Sequence, residues 1–143
     1  MREHLSAAKV KDVMSQEQVS VSPGTTVEEV VWNYFQKQHG RAVPVCDDNH
    51  TVGIVTITDV RGLPRDRWTT TSVQAIMKRE PLYTISPEAD LNSAMKLLAQ
   101  HDVNQLLVLR EGQCAGILSR ADIIRYLQFG QELGVRRKTE QGG

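Results

Sequence analysis

The sequence has no apolar run near the roughly 18 residues that a membrane-spanning helix needs, so direct membrane insertion is not expected. Its first residues, MREHLSAAKVKDVM, carry no apolar stretch of the secretory-signal kind. Cysteine is scarce: Cys46 and Cys114 stand alone, too few for a disulfide framework, and they point to a reducing, cytoplasmic setting. Charge of either sign is not in excess. Seventeen basic and seventeen acidic residues cancel, which argues against nucleic acid as a partner. Catalytic signatures are also missing. There is no Gly-x-Ser-x-Gly, no Walker loop, no dinucleotide fingerprint and no His-Glu-x-x-His. His4, His39, His50 and His101 show no metal-ligand spacing, and the Cys46/His50 pair flanks what reads as a turn. Neither an enzyme nor a metal site is expected, and no cofactor is required.

What is present is a sentence written twice. Residues 53–59 read GIVTITD and residues 116–122 read GILSRAD, 63 positions later. Val13-Met14 matches Ile76-Met77 at the same offset, while Ser22-Pro23 matches Ser86-Pro87 at 64. Val27, Val30, Val31 and Tyr34 align with Leu91, Ala94, Met95 and Leu98, both sets at the spacing of one helical face. A duplication of this length predicts two copies of one structural unit.

Each copy reads the same way. A short helix, Ala7–Met14 or Ser72–Lys78, is followed by a brief strand ending at Val21 or Ile85, and Ser-Pro turns the chain. An amphipathic helix follows over Thr26–His39 or Asp90–Asp102. Thr26 and Asp90 are its N-caps, Glu29 completes a capping box with Thr26, and Gly40 stops the first helix. Two strands come next, Ala42–Cys46 with Val52–Ile57, and Gln105–Leu109 with Cys114–Leu118. Asp47-Asp48-Asn49 and Glu111-Gly112 supply their turns. A last helix starts near Thr58 or Ala121. Gly62 and Pro64 cut the first short, and the second runs to about Phe129. The expected fold class is α/β (α+β): tandem β-α-β-β-α repeats with pseudo-two-fold symmetry, over 8–62 and 72–129. A linker spans 63–71 and a frayed polar tail 130–143.

The repeated residues have two chemical readings. Gly53 and Gly116 allow another backbone to approach closely. Thr56 and Ser119 sit where a strand ends, and each can cap the helix that follows. Asp59 and Asp122 lie three residues on, so Ser/Thr-x-x-Asp is a capping box. The same pair suits a ribose-phosphate, because a carboxylate accepts both hydrogen bonds of a vicinal diol and a helix N-terminus attracts phosphate.

The motifs VKDVM and VQAIM, VSVSP and YTISP, RAVPVCDDNHTVGIVTITD and NQLLVLREGQCAGILSRAD together resemble a cystathionine-β-synthase (CBS) domain pair, or Bateman module, over about residues 8–128. The resemblance implies two repeats packed through their sheets, often as a homodimer. It implies adenosine nucleotides (AMP, ADP or ATP) in two clefts between the repeats, as regulatory ligands. Carried over by position, the first cleft uses Ile54, Thr56, Thr58, Asp59, Leu82 and Tyr83. The second uses Ile117, Ser119, Asp122, Gln18 and Val19. Here Ala121 stands where the first copy has Thr58, and Gln18 where an apolar residue would help the base. Arg41 and Arg120 are the phosphate candidates; Arg61, Arg65 and Arg67 read as solvated surface arginines. The alternative is a structural homodimerisation module with no nucleotide.

The linker LPRDRWTTTSV and the segment QELGVRR are similar to those of CBS pairs attached to site-2-type intramembrane zinc metalloproteases. That narrower resemblance implies a regulatory piece on the cytoplasmic face of a membrane protein, with a metalloprotease domain of the same parent chain as partner. Cys114 reads as a buried strand residue. Trp32 reads as a core or dimer contact, and Trp68 as a cover over the seam between the repeats.

Overall fold

The structure, a computed structural model, describes residues 8–15, 20–37 and 40–133. The expectations for Gln18, Val19, His4, His39 and the tail from Gly134 lie outside the described residues.

Among the described residues helix α1 (Val10–Val13) comes first, followed by α2 (Val27–Val30), which continues as a π-helical turn over Val31–Gln36. Strands β1 (Ala42–Asp47) and β2 (His50–Thr56) form an antiparallel hairpin, and α3 (Ile57–Arg61) leaves directly from β2. Two 3-10 turns, Arg65–Arg67 and Val73–Ala75, carry the chain into the second copy. There β3 (Thr84–Ile85) pairs parallel with β4 (Gln105–Arg110), and α4 (Leu91–His101) lies between them in sequence. Strand β5 (Gln113–Ser119) pairs antiparallel with β4 and runs into α5 (Arg120–Leu133).

Local chemistry accounts for most boundaries. Both hairpins turn on two residues of positive φ, Asp48-Asn49 (51° and 70°) and Glu111-Gly112 (53° and 80°), which matches the twist of the flanking strands. Both carry a bulge at equivalent places, between Val45/Cys46 and between Val108/Leu109. Thr26 Oγ1 accepts from the Glu29 N–H at 3.2 Å, but only this half of the expected capping box forms. Asp90 caps α4 through the Ser93 N–H at 2.7 Å, and Asp102 ends it at φ 51°.

Three expectations need correction. The predicted helix Ser72–Lys78 is only the turn Val73–Ala75, because Met77-Lys78 leaves to pair with the first copy: Ile54 and Lys78 exchange backbone bonds of 3.0 and 2.8 Å. The strand predicted to end at Val21 is a single parallel bridge to Val45, since Ser22-Pro23 turns the chain immediately afterwards. The last helices begin one residue earlier than expected, at Ile57 and Arg120, and the second reaches Leu133.

The two cores are built by exchange. Val27, Val30, Val43, Val45, Val55 and Val60 of the first copy close over Val73 and Met77 of the second. Leu91, Leu98, Leu106, Leu118 and Ile123 of the second close over Ala8 and Val10 of the first. The backbone repeats the exchange: Val10 N–H donates to Ala89 O at 2.9 Å, and Val73 N–H to Thr25 O at 2.8 Å. Each copy's opening segment therefore completes the other's core, and neither core closes alone.

Candidate functional site

Thr56 ends β2 and Ser119 ends β5, so both hydroxyls stand at the start of a helix. The capping reading is realised at both. The Thr56 N–H donates to Asp59 Oδ2 at 2.8 Å, Thr56 Oγ1 donates to the same oxygen at 3.0 Å, and the Asp59 N–H donates back to Thr56 Oγ1 at 3.2 Å. The Ser119 N–H donates to Asp122 Oδ2 at 2.9 Å, and the Asp122 N–H to Ser119 Oγ at 3.0 Å. Each cap occupies Oδ2. The other oxygen faces a cation: Lys78 Nζ lies 4.0 Å from Asp59 Oδ1, and Arg125 Nη1 lies 3.1 Å from Asp122 Oδ1. Capping thus leaves Oδ1 of each aspartate outside the cap.

Between the copies opens a cavity of about 1060 Å³. It brings together seven of the expected site residues: Arg41, Thr56, Thr58, Ile117, Ser119, Arg120 and Asp122. Ile54, Asp59, Leu82 and Tyr83 are not among its walls. Ile54 is buried in β2, its backbone tied to Lys78. Tyr83 packs on the second core and stacks on His101, with ring centroids 3.9 Å apart. Arg120 lines the cavity, but its guanidinium donates to Val103 O and Leu98 O, both at 2.9 Å. It thereby adds a donor to the Leu98 carbonyl near the C-terminal end of α4, which the Val103 N–H also reaches, and supplies one to the Val103 carbonyl just beyond it.

Sequence reasoning missed Lys78, Arg125, Tyr34 and Phe35, all on the cavity wall. Arg125 was legible in part, since i,i+3 spacing from Asp122 puts the two on one face. Tyr34 and Phe35 both lie on the π-helical turn of α2, which no periodicity of 3.6 anticipates. Among the arginines read as solvated, Arg65 lies 5.9 Å from the Trp32 ring and 5.4 Å from the Trp68 ring. Trp68 itself packs on the first core and donates to Leu63 O at 3.3 Å, rather than covering the seam.

The sequence matches the CBS domain family twice, over residues 10–66 and 73–129. The chain is a CBS domain pair. CBS domains are regulatory rather than catalytic, and this pair's duplicated β-α-β-β-α units show the fold of that family. The pair is 32% identical over 126 residues to inosine-5'-monophosphate dehydrogenase of Bifidobacterium longum, covering 87% of this chain but 22% of that one. It is 30% identical over 119 residues to the CBS domain-containing protein YhcV of Bacillus subtilis, covering 81% and 83%. It is 24% identical over 132 residues to a putative zinc metalloprotease, sll0528, of Synechocystis, covering 90% and 35%. Among solved structures, the CBS pair of MJ0100 in complex with 5-methylthioadenosine and S-adenosyl-L-methionine superposes with a TM-score of 0.72 at 19% identity, covering 85% and 96%. That likeness shows the fold. No described helix of the pair is long and apolar enough to cross a membrane.

Proposed function

We propose that this CBS pair is a regulatory module that binds an adenosine nucleotide (AMP, ADP or ATP) in the cavity between its repeats and thereby controls a partner domain. The observation that carries this reading is the charge of one cavity. Among the described residues, Arg41, Lys78, Arg120 and Arg125 line it with a single carboxylate, Asp122. Such a wall suits a polyanion that also carries a diol. Asp122 Oδ1 takes the ribose by displacing Arg125. Arg41 and Lys78 meet the phosphates, aided by the Thr56, Thr58 and Ser119 hydroxyls, while Met14 and Ile117 flank the base. A cavity of about 1060 Å³ is large enough for a ligand of this size. MJ0100, which holds adenosine derivatives in its pair, supports the ligand class.

A second nucleotide would meet Asp59, Ile54, Leu82 and Tyr83 only after Lys78 swings off Asp59. Because the cavity walls come from both repeats, a ligand that prefers one inter-repeat angle shifts the module toward it. The partner domain in this reading is a membrane metalloprotease domain of the same parent chain, with the pair on its cytoplasmic side; sll0528 supports it.

Calorimetric titration with AMP, ADP, ATP and S-adenosylmethionine tests the proposal. We expect saturable binding that Asp122→Asn weakens at least about tenfold, the loss of one charge-assisted contact. Equal affinity in the variant, or no binding by any of the four, would refute it.

A second reading, homodimerisation, is favoured by Trp32, Ile124 and Phe129, large side chains that are 43%, 54% and 59% exposed. Light scattering of the wild type and of Ile124→Glu/Phe129→Glu decides it. A dimer that the double variant splits supports this reading, and a monomeric wild type ends it.

A further inference from the structure

Two thiols take no part in the nucleotide reading, and the fold brings them to one place. Cys46 lies on β1 of the first repeat and Cys114 on β5 of the second. These strands touch across the inter-repeat interface. Both side chains are half-buried, and both line one small pocket of about 80 Å³, with Ser20, Asn49 and Gln113. They lie on opposite strands of matching pairs: Cys46, on the first strand of its hairpin, pairs with Thr51 next to one bulge, and Cys114, on the second strand of its own, pairs with Leu109 next to the other. The Thr51 hydroxyl stands 3.7 Å from Cys46 Sγ, and Cys114 Sγ reaches the Gly116 carbonyl at 3.8 Å. Burial pushes the Cys114 thiol up, and the neighbouring Cys46 adds to the effect. Nothing in the sequence placed these residues together, since 68 positions separate them.

We propose that Cys46 and Cys114 are a redox-responsive pair that closes into an inter-repeat disulfide on exposure to a low-molecular-weight disulfide such as oxidised glutathione. The Cys46 thiolate attacks one glutathione sulfur, the S–S bond breaks, and one glutathione thiolate leaves. Cys114 then loses its proton to solvent and attacks Cys46 Sγ, expelling the second glutathione. Two protein thiols are oxidised and one external disulfide is reduced. Burial raises the Cys114 thiol and lowers its share of thiolate, so Cys114 is the second of the pair to react.

The bond would have a consequence for the large cavity. Pro44, two residues before Cys46, and Gly116, two residues after Cys114, both line it. Joining β1 to β5 at the small pocket therefore restrains the angle at which the repeats meet around the large one. This second site stands whether or not a nucleotide binds.

The test is incubation of the native chain with oxidised glutathione, followed by intact mass and peptide mapping without reduction. We expect loss of two hydrogens and no adduct, a monomeric band on a non-reducing gel, and a cross-linked peptide containing Cys46 and Cys114. The melting temperature should rise by on the order of 10 °C over the reduced protein, as a long closed loop predicts. Cys46→Ser and Cys114→Ser should each prevent the bond, with a stable glutathione adduct on Cys46 in the latter. Cys46→Ser/Cys114→Ser, melting like the reduced wild type, verifies that the fold does not need the thiols. Two separate adducts, thiols that stay free, or bonds only between chains would overturn the proposal.

Discussion

Gly53 lies directly under the backbone of Lys78. A Cβ at position 53 would stand 2.9 Å from the Lys78 carbonyl oxygen and 2.6 Å from Met77 Sδ. The bridge between Ile54 and Lys78 runs alongside, so this is where the second repeat's opening segment crosses the first repeat's sheet. Gly53→Ala should therefore cost about 1–3 kcal/mol, the range of an overpacked core position. Urea unfolding checks it; an unchanged midpoint would mean that the crossing segment yields freely.

Gly116 holds the matching place, but its constraint differs. A Cβ there meets Ser15 O only at 3.6 Å, while its φ is +148°. Gly116→Ala should destabilise through backbone strain, by about 1–3 kcal/mol. Truncating Met14, its nearest side-chain neighbour, should not rescue it. At Gly53, by contrast, Met77→Ala should relieve part of the overlap. The four unfolding curves separate the two causes.

Asp90 caps α4, and the Ser93 backbone N–H holds its carboxyl below the usual carboxylate range, with its side chain and nearby lysines helping. A depressed folded-state pKa stabilises the protein above the unfolded value. That contribution is lost as the pH falls from about 4 through the folded-state pKa. Wild-type stability should therefore drop more steeply below about pH 4 than that of Asp90→Asn, whose cap does not titrate. Asp90→Ala should cost about 1 kcal/mol at neutral pH. Parallel slopes for wild type and Asp90→Asn in acid would contradict this account.

Arg120 should prove a structural residue first. Its two bonds to the carbonyls of Leu98 and Val103 tie the end of α4 to the start of α5. Arg120→Leu should cost about 2 kcal/mol, since two charge-assisted bonds vanish, although the Leu98 carbonyl keeps the Val103 N–H as a donor. Lysine, with no planar fork, should recover less than half. Thermal unfolding of both variants measures this, and nucleotide affinity per folded molecule should change less than in Arg41→Ala.

Asp59→Ala and Asp122→Ala should each lower stability by about 1 kcal/mol, because each ends a reciprocal cap. Only Asp122→Ala should also abolish the nucleotide-dependent rise in melting temperature, since Asp122 lines the cavity and Asp59 does not. Equal loss in both would mean that the ligand depends on Asp59 as well as on Asp122, against this account.

What the sequence determined by itself was local and repeated. The offset of 63 positions announced two units, the Ser/Thr-x-x-Asp pairs announced their caps, and Asp48-Asn49 and Glu111-Gly112 announced the hairpins. These features depend on residues within a few positions of one another, so a pattern in one dimension suffices to read them. Only tertiary structure decided the rest. It exchanged Val10 and Val73 between the cores, drew Lys78 onto Ile54 at the expense of a helix, spent Arg120 on the end of α4, and set Cys46 beside Cys114. Each of those outcomes joins residues from elements distant in sequence, where burial and unpaired backbone groups choose the partner and spacing along the chain carries no record of the choice.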